Sequence, residues 1–236
     1  IEARAGSIDV RNGATGRVIV SLDSPSADDW QLVQLGDSLL IRPSGRRARS
    51  VRMLVEVPVG TDVEVKSVSA DLTLAGAFGA TRVHTVSGDV RIDSVSRLDV
   101  NSVSGDVRAA SVAGDASLVT VSGDVDVREV GGRLTANTSS GDIRVSKVGD
   151  DVTVGTTSGD VRCDCVRGAS VGVKCISGDV TIGLPAGIRV EPDISTLSGR
   201  TTVPTPSGLP PAPSPRVVRV RLRTVSGNIN IERVTA

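Results

Sequence analysis

Aromatic side chains are almost missing from this chain: one Trp, one Phe and no Tyr among 236 residues, with a single Met beside them. Without aromatics there is no platform for stacked bases, and Lys plus Arg equals Asp plus Glu at 27 each, so the basic excess of a nucleic-acid binder is lacking too. No nucleic-acid partner is expected. Long apolar runs are also absent; none approaches the ~20 residues of a membrane span, so no transmembrane segment is expected here. Cysteine is scarce: Cys163, Cys165 and Cys175 form no CxxC pair, and an odd count cannot complete a disulfide framework within one chain. That favours a reducing, cytoplasmic setting, with a cell-surface place open if a segment ahead of Ile1 has been removed. Histidine occurs once, as His84.

What remains to fill a core is Val, Ile, Leu and Ala, and β-branched residues suit strands. Hydrophobic residues make up 39% of the chain, enough for one sizeable core. The 26 glycines are spread at intervals rather than in blocks, which argues for an ordered repeat.

The repeat is the triplet Ser-Gly-Asp. Its serine, or the serine of a close variant, stands at 69, 87, 104, 122, 140, 158, 177, 198 and 226, at intervals of 18, 17, 18, 18, 18, 19, 21 and 28 residues. Three residues after the serine comes Val or Ile (Val90, Val107, Val125, Ile143, Val161, Val180, Ile229), and five after it mostly another apolar residue. The residue between them is polar, which is the period-two alternation of a strand with one buried face. A second alternating run precedes each triplet, as in Leu98 and Val100 or Val152 and Val154. Alternation fails across the triplet itself, so the chain turns there, at Ser87-Gly88, Ser104-Gly105, Ser122-Gly123, Ser140-Gly141, Ser158-Gly159 and Ser177-Gly178. Gly114, Gly132, Gly149 and Gly168 mark a second corner half a unit away. Two strands and two corners per unit describe one coil of a single-stranded parallel β-solenoid, or β-helix, with ~18-residue coils.

Residues 1–66 lack the triplet but carry strand-like runs (SIDV, RVIVSL, LLIRP, RMLVEVPV), and are expected to form an irregular N-terminal β cap or divergent first coils. Residues 67–236 are the repeats of the same continuous domain. Within them 204–215 (PTPSGLPPAPSP) reads as an exposed Pro-rich loop, after which RVVRVRLRTVSGNINIERV forms a final coil that closes the rod. Arg42 to Arg52 reads as a basic hairpin loop.

Stacked coils turn repeated residues into columns. Asp89, Asp106, Asp124, Asp142, Asp160 and Asp179 form a carboxylate column that invites calcium, yet Arg91, Arg108, Arg144 and Arg162 recur two residues later. An Asp that bonds turn backbone and pairs with Arg is the stronger reading, and no metal or other cofactor is expected. Thr85, Ser102, Thr120, Thr138, Thr156, Cys175, Thr196 and Thr224 form another column, two residues before the serine; with the serines they suggest a hydroxyl ladder like those of ice-binding solenoids, but hydroxyls at corners ordinarily satisfy backbone groups, which is the stronger reading. His84 has no local motif that sets it beside one particular Ser and Asp, so no catalytic residue is assigned and no enzyme activity is expected. Cys163 falls in an inward column as a small hydrophobe.

The V-S-G-D-V-x-V units, the preceding RMLVEVPVGTDVEVKSVSADL and the closing VRVRLRTVSGNINIERV together resemble the bacterial β-strand-repeat family called "putative adhesin", a domain of unknown function. The resemblance implies the solenoid and surface binding by analogy, with a link to cell-envelope sensing in some relatives, and carries over no catalytic residue. The expected role is a non-enzymatic scaffold or adhesin-like module that binds a protein partner or itself. The alternative is a ligand-binding module for calcium, glycan or an envelope-active peptide.

Overall fold

A computed structural model describes residues 1–14, 16–23, 29–45, 50–203 and 217–234, and their regular structure is almost wholly β. The N-terminal part holds β1 (Glu2–Asn12), β2 (Ile19–Asp23), β3 (Trp30–Leu35), β4 (Ser38–Pro43) and β5 (Val51–Val57). The repeats follow as β6 (Val63–Ser87), β7 (Val90–Ser104), β8 (Val107–Val112), β9 (Ala116–Ser122), β10 (Val125–Val130), β11 (Leu134–Ser140), β12 (Ile143–Val148), β13 (Val152–Ser158), β14 (Val161–Val166), β15 (Ser170–Ser177) and β16 (Val180–Pro185). Last come β17 (Arg189–Ser198), β18 (Thr201–Thr202), β19 (Val217–Ser226) and β20 (Ile229–Val234).

The chain is a parallel β-solenoid. Strands that follow the triplet stack in register as a downstream face, for example Val107 on Val125, Val125 on Ile143 and Ile143 on Val161. Strands that precede it stack as an upstream face: Ala116 on Leu134, and Leu134 on Val152. The core lies between them. In the coil after Ser104 the inward residues are Val107, Ala109, Val112, Ala116, Leu118 and Thr120, all buried. Because Ala109 and Val112 are both buried, strict alternation breaks between them and the strand bends there. Each buried Val or Leu contributes roughly 1.5–3 kcal/mol, and no aromatic is needed because narrow coils are filled by small branched side chains.

The order of rungs departs from the order of the sequence at both ends. β19 lies between β15 and β17, with Val171 paired to Val220 and Val220 to Pro192. Likewise β20 lies between β16 and β18, with Val180 on Ile229 and Ile229 on Thr201. The final coil therefore does not close the rod, as its place in the chain suggests; it fills the slot beneath the 189–202 coil. Core quality explains the exchange. Val218, Val220, Leu222, Ile229 and Ile231 are all buried, as an interior rung demands. The 189–202 coil offers Pro192 in the same column, a residue that sheets confine to their edges, and its Val190 and Ile194 are only half-buried.

At the other end β1 is a full rung, inserted between β5 and β6: Ile8 pairs with Met53 on one side and with Leu72 on the other. β2 adds an antiparallel strand outside β5, and β3 and β4 form a separate hairpin whose Trp30 and Ile41 are buried. The N-terminal region is thus two divergent rungs plus a hairpin. The Pro-rich stretch 204–215 and residues 46–49 of the Arg42 to Arg52 loop lie outside the described residues.

Candidate functional site

Each repeated corner is built by its glycine. Glycines 88, 105, 123, 141, 159, 178, 199 and 227 have φ between +125° and +147°, a region closed to ordinary side chains. A second constraint is stacking: a Cβ on Gly141 would run into the carbonyl of Gly123 one rung below. Beside each triplet glycine the serine faces outward, exposed at 104, 122, 140, 158 and 177.

The aspartates form a hydrogen-bonded ladder along the rod. Asp89, Asp106, Asp124, Asp142, Asp160 and Asp179 each donate a backbone N–H to the Oδ1 of the preceding acidic rung, at 2.8–3.2 Å, beginning with Asp71. The ladder then runs Asp179 to Asn228 to Arg200 at 2.7 and 3.0 Å, which repeats the exchanged order of coils. The second carboxylate oxygen meets Arg in three rungs: Arg91–Asp89 at 2.9 Å, Arg108–Asp106 at 2.8 Å and Arg144–Asp142 at 2.6 Å. Arg162 turns instead to Asp164 at 2.7 Å. These carboxylates are thus engaged with backbone and guanidinium, and among the described residues no cluster of three or more His, Cys, Asp or Glu is placed to hold a metal.

The threonine column faces the other way from a surface array. Thr85, Ser102, Thr120, Thr138, Thr156 and Thr224 are buried, so they form no outward hydroxyl ladder of the ice-binding kind. An even offset from the last inward residue forces this: Leu118 and Thr120 share one side of their strand. The hydroxyls of Thr85, Ser102, Thr138 and Thr224 donate to the corner carbonyl two residues on, at 3.2–3.3 Å, whereas Thr120 and Thr156 have no partner for Oγ1. Cys175 replaces a threonine here, and its thiol is pushed up by burial. Cys163 is fully buried in the downstream half; burial, with the Asp164 charge adding, pushes its thiol up to about 12.

Outward residues differ sharply between the two faces. Over the same rungs the downstream face presents Arg108, Asp126, Arg144 and Arg162, with Glu129 stacked on Lys147. The upstream face presents Ser117, Val119 and Val121 from β9, Thr135, Asn137 and Ser139 from β11, and Thr153, Gly155 and Thr157 from β13, none of them charged. Immediately before the serine runs an exposed apolar column: Val68, Val86, Val103 and Val121, then Ile176, Val225 and Leu197, the last 85% exposed. Sequence reasoning passed over this column because it read the outward positions after the serine, Asp and Arg, and not the one immediately before it; the signal was a Val in VSGD that alternation points to solvent. His84 stands in the next outward column, paired in register with Asn101.

The main concavity described is a groove of about 1620 Å³ between the β3–β4 hairpin and the N-terminal rungs, with Arg82, Arg97, Asp99 and Asp115 on the rod side and Asp37 and Leu39 on the hairpin side. Two ion pairs, Arg82–Asp99 at 3.6 Å and Arg97–Asp115 at 3.5 Å, run along its wall. Among the described residues no helix is long and apolar enough to cross a membrane.

The family to which the chain is matched agrees with this architecture. A family model described as "Toastrack DUF4097" matches residues 20–232. Among solved structures the chain is similar to a "putative adhesin" from Bacteroides fragilis, at 12% identity over 97% of this chain and 91% of that one, with a TM-score of 0.34. No curated protein matches.

Proposed function

The chain belongs to the Toastrack DUF4097 family, and from that premise we propose that it is a non-enzymatic β-solenoid scaffold that binds another macromolecule through its upstream face. The observation that carries this reading is the exposed column of Val68, Val86, Val103, Val121, Ile176, Val225 and Leu197 beside a sheet surface that carries no charge over its middle strands β9, β11 and β13. Single surface hydrophobics need no explanation, but two runs of them, four and three rungs long and separated only by Ser139 and Thr157, mark a candidate interaction site. The Asp ladder and the corner glycines are given to holding the coils, which leaves the outward columns as the variable surface. A photo-crosslinking side chain placed at Thr157, in cells that make the whole gene product, is expected to give covalent adducts. The same group at Arg144 on the opposite face is not; equal yields from both faces, or none from Thr157, sink the reading.

A second reading, a ligand-binding module, draws on the groove beside the hairpin. Its test is competition: a glycan or peptide that binds the protein must lose affinity on Arg97→Ala.

A further inference from the structure

We propose that the partner for the upstream face is a second copy of this chain, packed face to face about a two-fold axis that runs parallel to the strands midway between β11 and β13. This deepens the scaffold reading and rests on it.

The support is that the outward columns are self-complementary about that line. Along the rod the exposed column reads Val86, Val103, Val121, Ser139, Thr157, Ile176, Val225 and Leu197, once the exchanged order of the last two coils is used. Rotation about the axis keeps each column on itself and reverses the rungs. Ser139 then meets Thr157, Val121 meets Ile176, Val103 meets Val225 and Val86 meets Leu197. Apolar residues fall on apolar residues, and the two hydroxyls fall on each other.

Charge obeys the same symmetry. Four residues nearer the β-strand start, the outward column reads Arg82, Asp99, Ser117, Thr135, Thr153, Gly172, Arg221 and Asp193. The rotation sets Asp99 against Arg221 and Arg82 against Asp193. Within one protomer these residues already pair as Arg82–Asp99 at 3.6 Å and Arg221–Asp193 at 3.0 Å. Two pairs would therefore close into one alternating four-charge cluster at each end of the interface, with the second copy's Arg221 and Asp193 entering the groove beside the β3–β4 hairpin that Arg82 and Asp99 line. An isolated exposed pair contributes little, whereas a network that fixes register gives specificity. Had the coils stacked in chain order, Asp193 would face Asp99 and Arg221 would face Arg82, so the complementarity depends on the exchange. One like-charged juxtaposition remains, Arg97 with Arg219 at the margin, where each has its own carboxylate, Asp115 at 3.5 Å and Glu191 at 3.9 Å. Lys174 falls opposite Val119, where its aliphatic stem can lie over the methyl groups.

The extent is adequate for a real if modest interface. Eight rungs at ~4.8 Å and a width of ~15 Å give roughly 550 Å² per protomer, about 1,100 Å² in the pair, near the lower limit for a specific contact. An isologous contact of this kind closes on itself and makes a dimer rather than a fibre.

Sedimentation velocity on the purified chain over a range reaching ~0.5 mM tests this. A monomer–dimer equilibrium is expected. Val121→Lys and Ile176→Lys are each expected to weaken association by at least about tenfold, since each buries a charge against an apolar partner. Val121→Lys combined with Ile176→Glu is expected to regain it, because Lys at 121 then faces Glu at 176 of the second copy. Both sites are exposed, so melting midpoints serve as the check that the variants fold. A strictly monomeric chain, a dimer indifferent to both lysine variants, or no recovery in the double variant overturns the proposal. If the chain is monomeric while a probe at Thr157 still captures a different macromolecule, the second-copy inference fails and the scaffold reading stands.

Discussion

The two outer faces of one rod share the same coils, the same corners and the same core, yet along the middle rungs one is a lattice of guanidiniums and carboxylates and the other, between charged ends, is a plain of Ser, Thr, Val, Asn and Gly. Core burial does not account for the difference, because both inner surfaces are buried, the upstream one with a column of Thr and Ser beside its Val, Leu and Ala. On the downstream face the arginines have a local task, to neutralise a carboxylate column whose members stand one rung apart; adjacent like charges at ~5 Å would otherwise repel by about 1 kcal/mol each even in water. The upstream face has no acidic column to compensate, and its outward positions are free to be recruited for contact.

That comparison can be broken first at the corner both faces share. Gly141→Ala places a Cβ against the Gly123 carbonyl at a φ of +132°, and is expected to cost about 3 kcal/mol or more, a fall of roughly 6–12 °C in the melting midpoint. A midpoint unchanged within 2 °C, or about 0.5–1 kcal/mol, refutes the stacking account.

Beneath the downstream face, Cys163 gives an alkaline effect. Its thiol ionises near 9.0 when unfolded and near 12 when folded, so the unfolded chain releases its proton first. Stability is then complete below pH 9 and declines toward pH 12 at up to about 1.4 kcal/mol per pH unit. Urea unfolding at pH 8 and 10.5 should show the decline in the parent and a flatter profile in Cys163→Val. Parallel profiles for the two proteins remove Cys163 as the cause.

On the downstream face itself, Asp142→Ala deletes the acceptor for the Asp160 N–H at 2.9 Å and the partner of Arg144, and is expected to destabilise by about 1–2 kcal/mol. Asp142→Asn keeps an acceptor oxygen and should cost half of that or less; equal losses would assign the effect to charge alone. The smallest effect lies beneath the upstream face. Thr156→Val removes a buried hydroxyl without a partner and should stabilise by about 0.5–1 kcal/mol, whereas Thr138→Val, which breaks a 3.2 Å bond to the Ser140 carbonyl, should destabilise by a similar amount. Identical signs in calorimetry would show that the column is uniform after all.

Much of this was legible before any coordinates. Val107, Val125, Ile143 and Val161 announce an inward column, and the glycines of the triplets announce corners, because alternation and positive φ are local properties. The strand of β1 was legible in SIDV, but its place as a rung between β5 and β6 was not: its Gly6 stands in the corner column, at φ +119°, yet Ala5 and Ser7 beside it spell no triplet. β3 was missed as well, since WQLVQL shows polar residues at its second and fifth positions and only weak alternation. The Thr column was legible in its chemistry, since hydroxyls beside a corner satisfy backbone and four of them do donate to corner carbonyls, but not in its burial inside the rod.

By itself the amino-acid sequence determined the period, the corners, the inward columns and the pairing of the corner Asp with Arg in three coils of four, all of which are set within a residue or two along the chain. Only the tertiary structure decided the order of the rungs. A coil ending in Ser177 can stack on the corner at Ser198 or at Ser226 with the same local geometry, so local preference cannot choose between them. The choice falls to burial on two sides, which admits the apolar 217–234 coil and leaves the coil with Pro192 at the edge. That choice in turn sets Val225 next to Ile176 and Arg221 ahead of Asp193, and so determines which side chains are neighbours on the upstream face.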